Sequence, residues 1–155
     1  MPAQPSTDGV FRTSRLFTFT PAQIFAAFAD ADRLATWWGP DGFRNTFEVF
    51  EFKPQGRWKF VMHGPDGTHY ANDCTFLETS TQRIVIRHVT APHFTLTITL
   101  TEADGPTRLD WRQAFDDPRV AAAVAPIVVP ANEQNLNRLQ AVLLASAGSS
   151  AFQAE

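Results

Sequence analysis

Between Asn45 and Phe115 apolar and polar residues alternate in short runs separated by turn residues, and nothing in that stretch repeats with a helical period. Such an order predicts an antiparallel meander of strands. Its register follows from the loops. A three-residue Pro65-Asp66-Gly67 loop, with Gly67 left-handed, sets Trp58, Phe60 and Met62 on one face with Phe76, Cys74, Asn72 and Tyr70. A loop one residue longer would bring Trp58 opposite Asp73 and mix apolar with charged positions. A Thr90-Ala91-Pro92 loop places Ile84, Ile86 and His88 beside Ile98, Leu96 and Phe94, and the Ala103-Asp104-Gly105-Pro106 loop aligns Ile98 with Trp111 and Phe94 with Phe115. One face of the sheet is thus almost wholly apolar, while Arg57, Lys59, Thr95, Thr97, Thr99 and Arg108 fall on the other.

Helical periods flank the meander. After a strand near Phe11–Thr18, Thr20, Pro21 and Gln23 form a capping-box signature ahead of Ile24, Phe25 and Phe28. A second short helix over DADRLATWW ends at Gly39-Pro40. At the other end Leu136, Leu139 and Leu143 share a helix face, which predicts a long helix from about Pro130 to Ala147. The expectation is an α+β domain in which a curved antiparallel sheet of about seven strands wraps around that helix. A helix about 10 Å wide cannot fill a broad curved sheet, so the arrangement calls for an interior space. The domain spans residues 10–147, with polar or small-residue tails over 1–9 and 148–155.

Composition narrows the function classes. The 155 residues are 44% hydrophobic and 19% charged, with fourteen phenylalanines and four tryptophans, which excludes a wholly disordered chain. A net charge of −3 leaves no basic footprint for nucleic acid or an anionic membrane. The single cysteine, Cys74, rules out an internal disulfide and fits a reducing compartment. No segment has the form of a signal peptide or the length of a membrane span, so a cytoplasmic location is expected.

The pattern leaves few groups for chemistry. His63 and His69 face each other on the outer side, two imidazoles without a third ligand, and His88 and His93 point to opposite faces, so no metal and no cofactor is called for. Glu78 and Asp110 lie on the outer face, and neither a phosphate loop nor a serine elbow occurs. Cys74 reads as a small buried hydrophobe, and no catalytic residue is assigned. The polar groups on the apolar face are Tyr70, Asn72, Cys74, His88 and Gln113. A mostly aromatic surface with a few fixed polar groups is the make-up of a small-molecule pocket. The expected lining is Trp38, Trp58, Phe60, Met62, Tyr70, Asn72, Cys74, Phe76, His88, Phe94, Trp111, Gln113, Phe115, Leu136 and Leu139.

The runs WWGPDGF, FEFKPQGRWKFVM, DGTHYAND and NEQNLNRLQAVL resemble the family named after the activator of the Hsp90 ATPase (homologue-1-like), within the START-like, Bet v 1-like superfamily of helix-grip folds. The likeness covers about Val10 to Leu144. Where the family pattern has an acidic residue, a basic residue and paired glycines, this chain has Glu51, Lys53, Gln55 and Gly56. The family often has glycine at Cys74 and just before the final helix, where Pro130-Ala131 stands here. The resemblance implies that the Trp37-Trp38 turn closes one rim of the interior space, with one indole packed inward. For function it implies a non-catalytic module that holds a small apolar, lipid-like or polyketide-like molecule. It leaves two alternatives open: a cyclase or aromatase that moves protons with His88, Tyr70 or Asn72, and a protein partner of Hsp90 type. The chain would act as a monomer or a homodimer.

Overall fold

A computed structural model describes residues 8–153. The chain runs β1 (Val10–Phe17), α1 (Pro21–Ala29), α2 (Ala31–Trp37), β2 (Arg44–Phe50), β3 (Arg57–His63), β4 (His69–Thr79), β5 (Arg83–His88), β6 (Phe94–Glu102), β7 (Thr107–Phe115) and α3 (Pro118–Gln153). All seven strands form one antiparallel sheet in the order β1-β7-β6-β5-β4-β3-β2. Strands β1 and β2 are therefore its two edges, and the α1–α2 connection carries the chain from one edge to the other.

The loop chemistry sets the register as expected. Trp58 pairs with Cys74, Phe60 with Asn72 and His63 with His69. The loop between them is Pro65-Asp66-Gly67: Gly64 and Thr68 still bond across it (2.8 Å), and Gly67 has φ +87°, a conformation that only glycine adopts without strain. Ile98 pairs with both Ile84 and Trp111, and Phe94 with both His88 and Phe115. The polar face carries short ion pairs across strands, among them Arg57–Asp73 (2.7 Å) and Arg87–Asp116 (2.6 Å). Such exposed pairs each contribute no more than about 1 kcal/mol. The fold rests on the other face.

There Leu136, Leu139 and Leu143 of α3 are buried with Ile24, Phe28 and Leu34 of the short helices against Trp58, Phe76, Ile84, Ile98 and Leu109 of the sheet. Burying each leucine stabilises the fold by about 1.5–3 kcal/mol. The α1 capping box is present, with Thr20 Oγ1 accepting from the Gln23 amide (3.1 Å) and Gln23 Oε1 from the Thr20 amide (2.8 Å).

The last helix departs from expectation at both ends. It begins at Pro118, twelve residues before Pro130, and continues past Ala147 to Gln153, through the first part of the expected 148–155 tail. Pro126 and Pro130 both lie inside it, so Pro130-Ala131 is mid-helix. Proline lacks an amide hydrogen, so the carbonyls of Ala122 and Pro126 have no helical donor. Both rings are exposed. The early turns are held instead by a satellite core, in which Ala121 and Ala125 pack on Phe11 and Phe115. Asp117 caps them by accepting from the Arg119 amide (2.9 Å). Residues 1–7 of the expected first tail lie outside the described residues.

Candidate functional site

The WWGPDGF stretch spans the end of α2 and the start of the connection to β2. Trp37 is fully buried, edge-on to Phe28 (centroids 4.9 Å apart), and its indole N–H donates to the Ala27 carbonyl at 3.1 Å. It is a core side chain. Trp38 is half-buried and leans on Trp58 and Trp111 at 5.2 and 5.9 Å. Gly39 then takes φ +98°, and its amide donates to Asn135 Oδ1 on α3 (3.2 Å). A side chain at Gly39 would also meet Met62 at 2.7 Å.

Arg138 of α3 completes the fastening. Its guanidinium donates to the carbonyls of Thr36, Trp38, Gly39, Pro40 and Phe43 over 2.7–3.3 Å. Gln134 adds a bond from the Asp41 amide (3.1 Å), and Asn45 donates back to the Ala35 and Trp38 carbonyls. An arginine with five planar donors suits a ring of carbonyls in a way that lysine does not. The NEQNLNRLQ run is therefore more than a helix signal, because its polar side holds the tryptophan turn against α3.

Between that turn, the apolar sheet face and α3 lies a cavity of about 420 Å³. Ten of the fifteen expected residues line it: Trp38, Phe60, Met62, Tyr70, Asn72, Cys74, His88, Phe94, Trp111 and Gln113. The other five are packed elsewhere. Trp58 stacks between Phe60 and Phe76 (4.2 and 5.5 Å) with Trp38 edge-on to it, and both Trp58 and Phe76 are buried in the core. Leu136 and Leu139 have no exposed surface and pack in the same cluster, and Phe115 belongs to the satellite core. Lining that the sequence pattern missed comes from Gly39, Pro40 and Phe43 of the turn, Ile86, Pro92 and Leu96, and from Ile127, Val128, Ala131, Asn132 and Asn135 of α3. Ile86 and Leu96 were legible as inward positions. Ala131, Asn132 and Asn135 fall inside the helix expected from Pro130, whereas Ile127 and Val128 followed only from a helix that runs through its prolines.

Electrostatically the cavity is quiet: among the described residues that line it none is Asp, Glu, Lys or Arg. Burial pushes the Cys74 thiol up to about 12, so at neutral pH it is protonated and a poor nucleophile. His88 is buried, and desolvation draws its pKa below the ordinary imidazole value. Its ring stacks on Phe94 at 4.5 Å and 6°. Nδ1 lies 2.8 Å from the Pro92 carbonyl, which can only accept, so Nδ1 carries the hydrogen. Nε2 lies 2.7 Å from Asn72 Oδ1, while Asn72 Nδ2 donates to the Tyr70 carbonyl. That amide orientation suits a protonated ring, and the turned amide, offering Nδ2, suits the neutral ring that burial favours. Gln113 Oε1 accepts from Asn132 Nδ2 at 3.0 Å.

His63 and His69 stand on the outer face as expected, their Nδ1 atoms 2.7 Å apart, with His63 Nε2 on the Thr46 hydroxyl. Among the described residues no group of three or more His, Cys, Asp or Glu could hold a metal ion. No helix among them is long and apolar enough to cross a membrane.

The family pattern described as "Activator of Hsp90 ATPase homolog 1-like protein" matches residues 18–143. No curated protein matches the chain. Among solved structures, a protein from Mycobacterium smegmatis shares 23% identity and a TM-score of 0.82, over 94% of this chain and 98% of its own. One from Arthrobacter aurescens shares 21% and 0.82, over 91% and 90%. One from Rhodobacter sphaeroides shares 23% and 0.80, over 92% and 97%. These likenesses bear on the fold alone.

Proposed function

Since the chain belongs to the activator of Hsp90 ATPase homologue 1-like family, we propose that it is a non-catalytic binding module that holds a small apolar or aromatic molecule between its sheet and α3. The observation that carries this reading is the cavity itself: about 420 Å³, walled by aromatic and aliphatic side chains, with a few amides and one imidazole for orientation. That volume lies within the ordinary range for ligand pockets, roughly 300–1,000 Å³. A protonated Cys74 and a lining without carboxylates favour holding a molecule over transforming it.

The test uses 1-aminoanthracene, a neutral fluorescent ring compound. It should brighten on binding and raise the melting temperature, because a ligand of the native state alone stabilises it. Cys74→Phe fills the middle of the lining. It should weaken the dye while the fold persists, whereas a close-packed core would lose about 1–3 kcal/mol to the added ring. No dye bound by the parent protein, together with a large drop in melting temperature for Cys74→Phe, would sink the proposal. A protein partner of the chaperone type named in the family description would then become the leading reading.

A further inference from the structure

We propose that the cavity selects an uncharged ring compound bearing a carbonyl-type oxygen and rejects the matching carboxylate. This rests on the binding-module reading and specifies its ligand class. Two independent features carry it.

The first is the absence of a usable cation in the lining. Arg138 is the guanidinium fastened to the cavity rim, and five backbone carbonyls already occupy it. The imidazole of His88 is held in the apolar wall between Phe94 and the Pro92 carbonyl. A carboxylate moving in would give up its water and meet no opposite charge, which is costly in an apolar site. A neutral oxygen gives up far less.

The second is a pair of amide donors without acceptors. Gly39 donates to Asn135 Oδ1, which fixes that amide and leaves its NH2 group with no partner among the described residues. Gln113 gives its oxygen to Asn132, and its NH2 is likewise unpartnered there. Both side chains line the cavity and are more than nine-tenths buried, with 6% and 8% exposure. Neither NH2 group is among the fully buried unpartnered atoms, so each keeps accessible surface, and an oxygen lodged in the cavity can accept from it in place of water. The planar walls, with Trp38 and Trp111 inclined by only 30° and His88 parallel to Phe94, suit a flat ring attached to that oxygen.

The experiment titrates the full chain at neutral pH with 2-acetylanthracene, anthracene-2-carboxylate and 2-ethylanthracene, following each probe's own fluorescence. The ketone should bind at least tenfold tighter than the carboxylate and at least threefold tighter than the hydrocarbon. In Gln113→Met, with the Asn135 donor still in place, the ratio of ketone to hydrocarbon affinity should fall below that of the parent protein, and an unchanged ratio would count against the inference. Carboxylate binding equal to or tighter than ketone binding would overturn the inference and leave the binding module standing. So would equal binding of ketone and hydrocarbon by the parent protein. If none of the three binds, the cavity reading itself falls and this inference with it.

Discussion

His88 couples a proton to the stability of the fold. Its pKa lies below the usual imidazole value in the folded chain because the charged ring is desolvated. Folding therefore favours the neutral form. The stabilisation is complete above the unfolded value, about 6.5, and is lost as pH falls through the lower folded value. In His88→Gln, which keeps a donor for the Pro92 carbonyl, that loss should vanish. Melting curves of the two proteins between pH 7.5 and 5 should show the parent losing ground to the variant as acid is added; parallel curves would contradict this. The inward place of His88 was legible from alternation alone. Arg138 was not. Sequence periodicity assigns it to a polar helix face, and nothing local announces that five carbonyls of a turn nearly a hundred residues earlier converge on it.

Elements were legible where local chemistry and the hydrophobic period agreed. The Pro65-Asp66-Gly67 loop fixed β3 against β4, because a one-residue slip would have buried Asp73 beside Trp58. The first turns of α3 were hidden by Pro126 and Pro130, which normally end a helix. The signal that could have found them is Asp117-Pro118, a cap residue followed by proline at the first helical position. The β2–β3 connection shows a different kind of departure. Gln55, standing where the family has glycine, adopts φ +67° while its amide is tied to the Phe76 carbonyl at 2.7 Å. A left-handed backbone costs a side-chain-bearing residue roughly 1–2 kcal/mol, and glycine's greater freedom when unfolded offsets about 0.5–1 of that. Gln55→Gly should therefore stabilise the chain by about 0.5–1 kcal/mol, read as a higher denaturation midpoint at unchanged m-value. A lower midpoint would show that the turn is not strained.

At the scale of the molecule, the cavity joins parts whose backbones are tied down by different numbers of hydrogen bonds. Its floor is a seven-stranded sheet, and its rim is a turn fastened by Arg138, Asn135 and Gln134. Its remaining wall, with Ile127, Val128 and Ala131, is the stretch of α3 whose ladder the two prolines interrupt. Time, rather than affinity, is what that interruption governs. Tyr70 and Ile127 both line the cavity and are exposed, and displacing this stretch of α3 breaks fewer backbone bonds than displacing an intact helix. A guest would thus come and go at the pace of this segment's opening. Restoring the ladder with Pro126→Ala and Pro130→Ala together should slow association and dissociation of 1-aminoanthracene alike in stopped-flow traces, with much less change in their ratio. An unchanged dissociation rate would mean that molecules leave by another route. Slower exchange in the double variant would make the residence time of a guest a property of the helix that covers the cavity.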